Sequence, residues 1–428
     1  MDEYFMNRFI KSFKGPLADV RVVEIGSDAA LAFGARLLAD LGAEVIKVEP
    51  PQGDALRCAQ PLTAGGESVL FAYLNYGKRI VQLDTDRSDG QALLDELLGK
   101  TDLVLAEGSQ LARAEDGGAT LRECAGRPVT VAVSPHGLWG PGTARHTSSF
   151  VLQHTSGFAF HQASPVTDPE ATPPVSCADW EGDLAAGLMV AISSIWAIES
   201  AGAARPGPIV DMSREDALVY LLVEPFADWQ AGADVSQRQR DPAKGLTIAG
   251  GLVWYLPCAD GGVMVSPRED HQWQRWCEVM GLPAWTADAS LCGDRVIRTN
   301  NAAKIQEKMA DWSRTRSSKD VVAAAQSARV ACFPVSTPRD LIENVQLRDR
   351  KFYSQLCFES GEAIPVAGLP FRFVTQQGEE LARGSTVSAP TRGNSGDQVL
   401  AELNRREARN TSDAEKPSRG RLSEESLQ

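Results

Sequence analysis

One acid stands directly in front of an unusually apolar segment of the chain. The stretch GDLAAGLMVAISSIWAIES, residues 182–200, holds no charge between Asp183 and Glu199. A carboxylate in this place can act as a nucleophile, because it can attack an acyl group and carry it as a covalent intermediate. The free N–H groups at a helix start favour its ionised form, and the apolar residues that follow would exclude water. Asp183 is therefore the first candidate for a catalytic residue.

The same position is also typical of a residue that only caps a helix. Asp is among the preferred N-cap residues, because its side-chain oxygen accepts a hydrogen bond from a free backbone N–H of the first turn. Both roles are compatible, since a capping residue presents its carboxylate at the mouth of the helix. Asp179 and Glu181 are interpreted as solvated loop acids, and they are the substitutes to test if Asp183 is inert.

A second set of residues can bind an anionic ligand. Lys78 and Arg79 form a pair of cations, and a helix is predicted to begin near Ala29 and Ala30, where free backbone N–H groups can bind phosphate. Lys78 and Arg79 are equally interpretable as partners in structural ion pairs, and both interpretations stay open. The pair of glycines at residues 250–251 predicts a turn.

The elements that must position these residues follow a strand–helix–strand pattern. VRVVEI (residues 20–25) and AEVIKVE (residues 43–49) are rich in β-branched residues and predict two strands. Between them, ALAFGARLLADLG predicts a helix that Gly42 ends. This order indicates an α/β fold with a doubly wound parallel sheet. The loop after Gly26, SDAALAFG, lacks the G-x-G-x-x-G fingerprint, so a nicotinamide-binding protein is not expected.

Length and charge limit the class of protein. A chain of 428 residues predicts two domains, because a single core stops growing at about 250–300 residues. The 43 basic and 56 acidic residues give a formal net charge of −13, which does not favour nucleic acid or an anionic membrane as a partner. The eight cysteines form no CxxC pair, so we expect reduced thiols, no metal site and a cytoplasmic location. Neither a secretory signal nor a membrane span is predicted.

Seven stretches along the chain occur together in a fixed order. They are LLADLGAEVIKVEPP (37–51), LNYGKRIVQLD (74–84), GDLAAG (182–187), GPIVDMSREDAL (207–218), YLPCADGGVMVS (255–266), FPVSTPRDLIENVQLRDRKF (333–352) and GLPFRF (368–373). In this order they resemble CoA-transferase family III, which contains formyl-CoA transferase, the carnitine CoA-transferases and α-methylacyl-CoA racemase. One such stretch alone is a weak signal, whereas seven cover nearly the whole chain.

The resemblance implies an α/β fold of two domains, in a dimer whose two chains interlock like links. The large domain is Rossmann-like and is built from residues 15–224 and 326–400, the N- and C-terminal portions of the chain. Residues 225–325 form a smaller α/β domain. Residues 1–14 are then an N-terminal extension, and residues 401–428 are a polar, disordered tail.

The resemblance also assigns a role to the acid before the apolar segment. Family members that transfer CoA use the Asp of such a Gly-Asp pair as nucleophile, so Asp183 is expected to form an aspartyl anhydride and then a thioester. The implied activity is that of an acyl-CoA:carboxylate CoA-transferase, with an acyl-CoA and a carboxylic acid as partners and no tightly bound cofactor. The expected supporting residues are Gly182, Gly187, Gly250 and Gly251, and the expected CoA-binding residues are Ala29, Ala30, Lys78, Arg79, Leu83 and His146.

The chain departs from the family pattern, and the departures keep two alternatives open. Where formyl-CoA transferase has nucleotide-contacting residues, this chain has Pro50, Asp86 and Glu107, two of them acids that would repel a polyanionic ligand. Together with Ser149, the acids Asp86 and Glu107 favour a catalytically silent subunit that pairs with a paralogue, whereas the intact Gly182-Asp183 argues against it. Racemase members use a His-Asp pair where this chain has Ser148-Ser149, with His146 two residues away. Racemisation of a 2-methylacyl-CoA by paired acid and base groups is the other alternative.

Overall fold

The structure is a computed structural model, and the chain in it forms two compact units. The first unit combines Met1–Phe158, Ser176–Leu222 and Asp349–Gln428, and the second combines Ala159–Val175 and Val223–Arg348. The described residues are 15–111, 128–143, 145, 147–162, 166–178, 180–201, 207–233, 238–239, 241–244, 247–248, 253–374, 386–391, 393–396, 398–399, 401–402 and 404–405.

A seven-stranded parallel sheet forms the centre of the first unit. Its strands are β1 (Arg21–Ile25), β2 (Glu44–Glu49), β3 (Arg79–Gln82), β4 (Leu103–Glu107), β5 (Val129–Ser134), β6 (Ile209–Ser213) and β14 (Asn394–Ser395). They lie in the order β14-β3-β2-β1-β4-β5-β6, so the order reverses between β1 and β4. In doubly wound sheets, ligands bind outside the carboxyl ends of the strands, at the point of reversal.

The strands are apolar along most of their length because a hydrophobic core covers each face of the sheet. All six residues of β5 are buried, as are all but the first residue of β1 and of β2. Neighbouring residues on one strand belong to different cores: Val45 and Leu103 to one, Ile46 and Val104 to the other. Continuous burial of this kind is typical of parallel sheets.

Between β1 and residue 222, the described residues contain eight helices and one short 3₁₀ helix (Ala55–Cys58). The helices are α1 (Ala29–Asp40), α2 (Val69–Asn75), α3 (Ser88–Gly99), α4 (Gly108–Leu111), α5 (Ser149–Thr155), α6 (Phe158–Gln162), α7 (Glu181–Ala201) and α8 (Arg214–Val219). Of these, α6 begins at the boundary between the units.

Helices α1 and α7 pack directly against each other, and glycines allow their close approach. A Cβ atom on Gly34 would lie 2.6 Å from Cβ of Val190, and one on Gly187 would lie 2.9 Å from the carbonyl oxygen of Ala30. Atoms in a folded protein do not come this close, so both positions require a residue without a side chain. The contact fixes the N-terminal halves of the two helices relative to each other.

Helix α7 has one side in the core and one side uncovered in the single chain. Ala186 and Val190 belong to the core between α1 and the sheet. Leu188, Ile192 and Trp196, spaced four residues apart, form an exposed apolar stripe on the other side. Among the described residues, α7 is the one helix whose length and composition would allow it to cross a membrane, a property that core helices of soluble proteins share.

The second unit contains a four-stranded antiparallel sheet and its own core, centred on Trp254, Trp276 and Met309. Its strands are β7 (Thr247–Ile248), β8 (Val253–Cys258), β9 (Gly261–Ser266) and β10 (Ala331–Pro334), in the order β10-β9-β8-β7. Its helices are α9 (Val223–Gln230), α10 (Asp270–Val279), α11 (Ala289–Cys292), α12 (Arg295–Asn300), α13 (Ala302–Ser313), α14 (Ser318–Ser327), α15 (Pro338–Glu343) and α16 (Val345–Asp349), with 3₁₀ helices at Pro242–Lys244 and Ala284–Ala287.

The second unit is larger than the smaller domain predicted at residues 225–325. Strand β10 pairs with β9, so the chain stays in this unit until Arg348 and does not return to the first unit at residue 326. Residues 159–175, predicted in the large domain, also belong to the second unit. There the N–H of Val166 donates a hydrogen bond to the carbonyl oxygen of Arg238.

The C-terminal portion completes the first unit. Strand β11 (Tyr353–Cys357) pairs antiparallel with β12 (Ala363–Ala367) and parallel with β13 (Thr386–Ser388). Leu356 and Val366 of this small sheet share a core with Tyr76, and β14 pairs with β3 in the large sheet. The N- and C-terminal portions therefore contribute to the same unit.

We expect Gly187→Ala to destabilise the protein, because the new methyl group meets the Ala30 carbonyl oxygen and the two helices must move apart. Urea denaturation should show a loss of about 1–3 kcal/mol in the free energy of unfolding, the usual cost of overpacking. Gly99→Ala is the matched control, because a Cβ there meets nothing within 4 Å. That variant should be as stable as the wild type, or more stable by up to about 1 kcal/mol. Unchanged stability of Gly187→Ala would contradict the close packing.

Candidate active site

Asp183 lies in the first turn of α7, and only 3% of its surface is exposed. It is not at the N-cap position, because the helix begins two residues earlier, at Glu181. The positive end of the helix still favours a negative charge at this place. Glu181 is exposed, as predicted for a solvated acid, and Asp179 lies outside the described residues.

Among the described residues, one guanidinium is the ionic partner of Asp183. Nη1 of Arg214 lies 2.8 Å from Oδ1 of Asp183 and 3.0 Å from Oδ2 of Asp28. Asp28 caps α1 just after β1, and Arg214 begins α8 directly after β6. The carboxyl ends of two strands therefore bring both residues to the first turn of α7.

Burial raises the pKa of Asp183 above its ordinary value, because the ionised carboxylate loses its hydration inside the protein. Arg214 opposes this effect, since its charge and its hydrogen bond stabilise the ionised form, while the negative charge of Asp28 reinforces it. The carboxylate is thus held by one cation in a place that water barely reaches. A buried acid with a shifted pKa and a specific charge partner is typical of a reactive group.

Three buried polar atoms beside Gly182 and Asp183 have no hydrogen-bond partner within the described structure: Oγ of Ser149, Nε2 of Gln153 and Nε of Arg214. Ser149 is near enough to Asp183 to lower its pKa, although not in hydrogen-bond geometry. Gln153 packs on Gly182, where a Cβ would lie 2.9 Å from its Cγ and 3.3 Å from its Nε2. Buried donors are normally satisfied, so these three indicate a site that binds a ligand.

A crevice of about 580 Å³ opens at the carboxyl ends of β1 to β4. Ser27 lines it, and the next residue, Asp28, shares Arg214 with Asp183. Along the chain, the crevice therefore lies one residue from the contact between Asp28 and Arg214. This is the position beside the reversal of strand order where ligands of doubly wound sheets bind.

The crevice brings together residues that were predicted from distant parts of the sequence. Pro50, Asp86 and Glu107, the three departures from the family pattern, all line it, and so does Leu83, a predicted CoA-binding residue. Its other acidic lining residues are Glu49, Asp54 and Asp84. A polyanionic ligand would therefore meet carboxylates along this wall, of which Glu49 and Asp54 are paired with Arg57 and Lys47.

The side chain of Glu107 lies against the turn that follows β1 and accepts a backbone hydrogen bond there. Its Oε1 accepts a hydrogen bond from the N–H of Ser27 at 2.6 Å, and its side chain packs on Gly26, whose φ of 137° favours glycine. Burial raises the pKa of Glu107. In dinucleotide-binding sheets the corresponding turn approaches a pyrophosphate, and in this chain a carboxylate of the protein already lies there.

Lys78 is an interior ion-pair residue, which corrects its predicted role in phosphate binding. Its buried ammonium donates hydrogen bonds of 2.7–2.8 Å to Glu24, to Asn75 and to the carbonyl oxygen of Ala32. Lys47 contacts the other oxygen of Glu24. All three N–H groups of Lys78 are used, so none is left for a ligand. Burial lowers the pKa of Lys78 to about 8.

The other predicted CoA-binding residues are less exposed to a ligand than the sequence indicates. Arg79 pairs with Glu402, in the segment predicted as a tail. Ala29 and Ala30 begin α1 as predicted, but both are buried, and the N–H of Ala30 donates to Asp28. The predictions for His146, Gly250, Gly251, the extension 1–14 and the tail residues 406–428 concern residues outside the described part of the chain. In the part of the chain that is described, no group of His, Cys, Asp and Glu could hold a metal ion.

Asp28, Gln153 and Arg214 belong to the site but were not predicted from the sequence. A signal existed for two of them: Asp28 and Arg214 come within three residues of the end of a strand, and the carboxyl ends of parallel strands carry ligand sites. Gln153 had no such signal, because its place depends on how α5 packs beside α7.

We expect Asp183→Asn to stabilise the unliganded protein at neutral pH. Folding raises the pKa of this carboxyl, so its protonated form favours the folded state. This contribution to the free energy of unfolding is fully present below the unfolded pKa and is lost as the pH rises through the folded pKa. The Tm of Asp183→Asn should therefore exceed that of the wild type at pH 7.5, and the difference should shrink toward pH 4.5. Glu199→Gln, an exposed acid on the same helix, is the control and should show little of this trend. A lower Tm for Asp183→Asn at pH 7.5 would contradict the assignment.

Three curated relatives show what the chain is similar to. A succinyl-CoA:mesaconate CoA-transferase of Haloarcula hispanica is 25% identical over 366 residues, 84% of this chain and 90% of that protein. Subunit BbsE of the succinyl-CoA:(R)-benzylsuccinate CoA-transferase of Thauera aromatica is 28% identical over 402 residues, 89% of this chain and 93% of that subunit. A formyl-CoA:oxalate CoA-transferase of Streptomyces coelicolor is 26% identical over 349 residues, 77% and 82% of the two chains.

The fold is also similar to a solved structure. A CaiB/BaiF family protein from Brucella suis superimposes with a TM-score of 0.78 and 21% identity, over 91% of this chain and 100% of that chain. Finally, the sequence profile of CoA-transferase family III matches residues 17–393. The chain therefore belongs to CoA-transferase family III and is an enzyme of this class.

Proposed function

We propose that this enzyme moves CoA from an acyl-CoA donor to a carboxylic acid, with Asp183 as the covalent carrier. The observation that supports this most is the buried Asp183 carboxylate, held by Arg214 and adjacent to buried donors without partners among the described residues. We propose the crevice lined by Ser27, the residue before Asp28, as the approach for a long thioester.

In the first step a carboxylate oxygen of Asp183 attacks the carbonyl carbon of the donor thioester. The C–S bond breaks, CoA leaves as a thiolate, and a mixed anhydride remains on Asp183. The thiolate then attacks the Asp183 carbonyl of the anhydride, releases the donor acid as a carboxylate and leaves an aspartyl-CoA thioester. The reacting groups carry one negative charge throughout, so no proton has to move.

The acceptor acid passes through the same two reactions in the opposite order. Its carboxylate attacks the aspartyl thioester and displaces the CoA thiolate, which then attacks the carbonyl carbon of the acceptor. The products are the acceptor's CoA thioester and the free carboxylate of Asp183. Water would hydrolyse either anhydride, so the near-complete burial of Asp183 protects both intermediates.

Each attack creates a negative oxygen on a tetrahedral carbon, and we assign its stabilisation to Gln153 and Ser149. Both are neutral donors. Gln153 packs on Gly182, and its Nε2 has no hydrogen-bond partner in the described part of the free enzyme, while Ser149 lies close enough to Asp183 to lower its pKa. Removing one donor of this kind typically costs about 10²–10³-fold in kcat.

We propose a succinyl-type acyl group for the donor, because two of the relatives above are named for succinyl-CoA. The CoA arm would approach Asp183 from the crevice, past Leu83 and Ser27. Lys78 and Arg79 are already engaged in ion pairs. His146, which was predicted to bind CoA, stays a candidate partner for the phosphates.

We further propose that the working enzyme is a dimer with a Rossmann-like large domain in each chain. The strand order β3-β2-β1-β4-β5-β6 supports the Rossmann-like interpretation. The exposed stripe of Leu188, Ile192 and Trp196 supports a partner chain, because an apolar helix face of this kind is normally covered. The family resemblance supports an interlocked arrangement.

A heteromer with a related chain is a second candidate, and two observations favour it. The acids that line the crevice would weaken CoA binding by this chain, and BbsE is itself named as a subunit. In that case the purified chain would lack transfer activity until the second chain is added. The racemase alternative has less support, because this chain has Ser148-Ser149 in place of the His-Asp pair of racemase members, and the side chains described above beside Asp183 are those of Asp28, Ser149 and Arg214.

We expect Asp183→Ala to lower CoA transfer by about 10³-fold or more without unfolding the protein, because the covalent carrier is lost. Glu181→Ala removes an exposed acid from the same helical turn and should retain activity. The assay measures transfer from succinyl-CoA to a panel of carboxylic acids, and circular dichroism checks folding.

Hydroxylamine provides an independent measurement, because it traps an anhydride or a thioester. It should inactivate the wild type only when acyl-CoA is present, and it should leave the free enzyme active. Full transfer activity in Asp183→Ala would refute the proposed function. Deuterium exchange at the α-carbon of a 2-methylacyl-CoA without CoA transfer would identify a racemase instead.

A further inference from the structure

Arg214 has donors that the free enzyme does not fully use. Its side chain is 9% exposed, and one atom, Nη1, contacts both Asp183 and Asp28, at 2.8 and 3.0 Å. Nε is buried and has no hydrogen-bond partner among the described residues. A guanidinium carries five N–H donors in a planar fork that fits two oxygens of a carboxylate, so this one retains capacity for a further anion.

The charge around Arg214 changes during the proposed reaction. With both carboxylates ionised, Asp28, Asp183 and Arg214 carry a net charge of −1. Once Asp183 is acylated or carries CoA, its negative charge is gone and the group is neutral. Arg214 then keeps Asp28 as its ionic partner, and the N–H donor that faced Asp183 can contact another carboxylate.

A substrate carboxylate lies near Asp183 both when the aspartyl-CoA thioester forms and when it is consumed. The donor acid leaves from the carbonyl carbon of Asp183, and the acceptor acid must attack that carbon. Either carboxylate therefore lies within a few ångströms of the atom that Arg214 contacts in the free enzyme. Asp28 keeps the guanidinium in position during this stage, because Asp28 is itself fixed by the N–H groups of Ala30 and Leu31.

Resting on the proposed function, we propose that Arg214 is the docking group for the substrate carboxylate, and that this docking site forms only after Asp183 has been loaded. In the free enzyme Asp183 occupies the site, so a free acid binds weakly. In the loaded enzyme the acceptor carboxylate replaces the lost charge and is oriented for attack on the aspartyl carbonyl. The leaving donor carboxylate uses the same site, so donor acid and acceptor acid compete for it.

The test separates loading of Asp183 from capture of the acid. Isotope exchange between radiolabelled succinate and succinyl-CoA needs a single acid and reports the KM for succinate. Loading is measured separately, as labelled CoA bound to the protein after an acid quench. Both are measured from pH 6 to pH 9, because loss of Arg214 also makes Asp183 harder to ionise and alkaline pH restores that ionisation.

We expect Arg214→Met to raise the KM for succinate by about 10- to 100-fold, the effect of losing a hydrogen bond between charged groups. The rise should persist at pH 9, where loading recovers, and the KM for succinyl-CoA should change much less. Arg214→Lys keeps the positive charge but not the planar fork, so its KM for succinate should lie between those of the wild type and Arg214→Met. Arg298→Met is the matched control: it removes another buried arginine that pairs with a carboxylate, in the second unit.

If Arg214→Met does not fold, the double variant Asp28→Asn/Arg214→Met replaces it, because it keeps the net charge of −1 around Asp183. An unchanged KM for succinate in a variant that loads CoA would overturn the proposal. An equal rise in both KM values would also overturn it, because a purely structural role predicts that result. Absence of CoA loading in the wild type would instead refute the proposed function itself.

Discussion

A single guanidinium shared by two buried carboxylates is the interaction on which this site depends. Arg214 contacts both Asp183 and Asp28, so one positive charge faces two negative charges in a region with little water. A buried carboxylate without a cation would take up a proton and lose its nucleophilicity. One that was fully paired and hydrogen-bonded would be stable and unreactive. The charge of Arg214 favours the ionised form of Asp183 while burial raises its pKa, and this balance suits a group that must react and later be released.

The fold makes this contact possible through the ends of two strands and one close helix pair. Asp28 follows β1 and Arg214 follows β6, so their backbones are fixed by the large sheet. Asp183 depends on the approach of α7 to α1, which the absence of a side chain at Gly187 permits, one turn after Asp183. A shift of either helix would lengthen the contact between the carboxylates and the guanidinium. Packing far from the reacting atom therefore controls its electrostatics.

Some of this could be predicted from the sequence, and the reason the rest could not is physical. The strands and helix of residues 20–49 and the buried start of α7 follow from local hydrophobic pattern, and Asp183 stands out because its surroundings are apolar. The role of Lys78 could not be predicted, because its partners Glu24 and Asn75 meet it only in the folded sheet. Arg214 likewise acquires its role from residues 31 and 186 positions away. The boundary of the second unit depended on the pairing of β10 with β9, which no local pattern reveals.

Mass spectrometry of the wild-type enzyme after brief incubation with succinyl-CoA, in the absence of an acceptor, tests most directly whether Asp183 carries the transferred group. The peptide that contains Asp183 is predicted to carry CoA or the succinyl group, and addition of an acceptor acid is predicted to remove the adduct. Transfer activity without any adduct on that peptide, or with a stable intermediate on another residue, would contradict the central claim that Asp183 carries the transferred group.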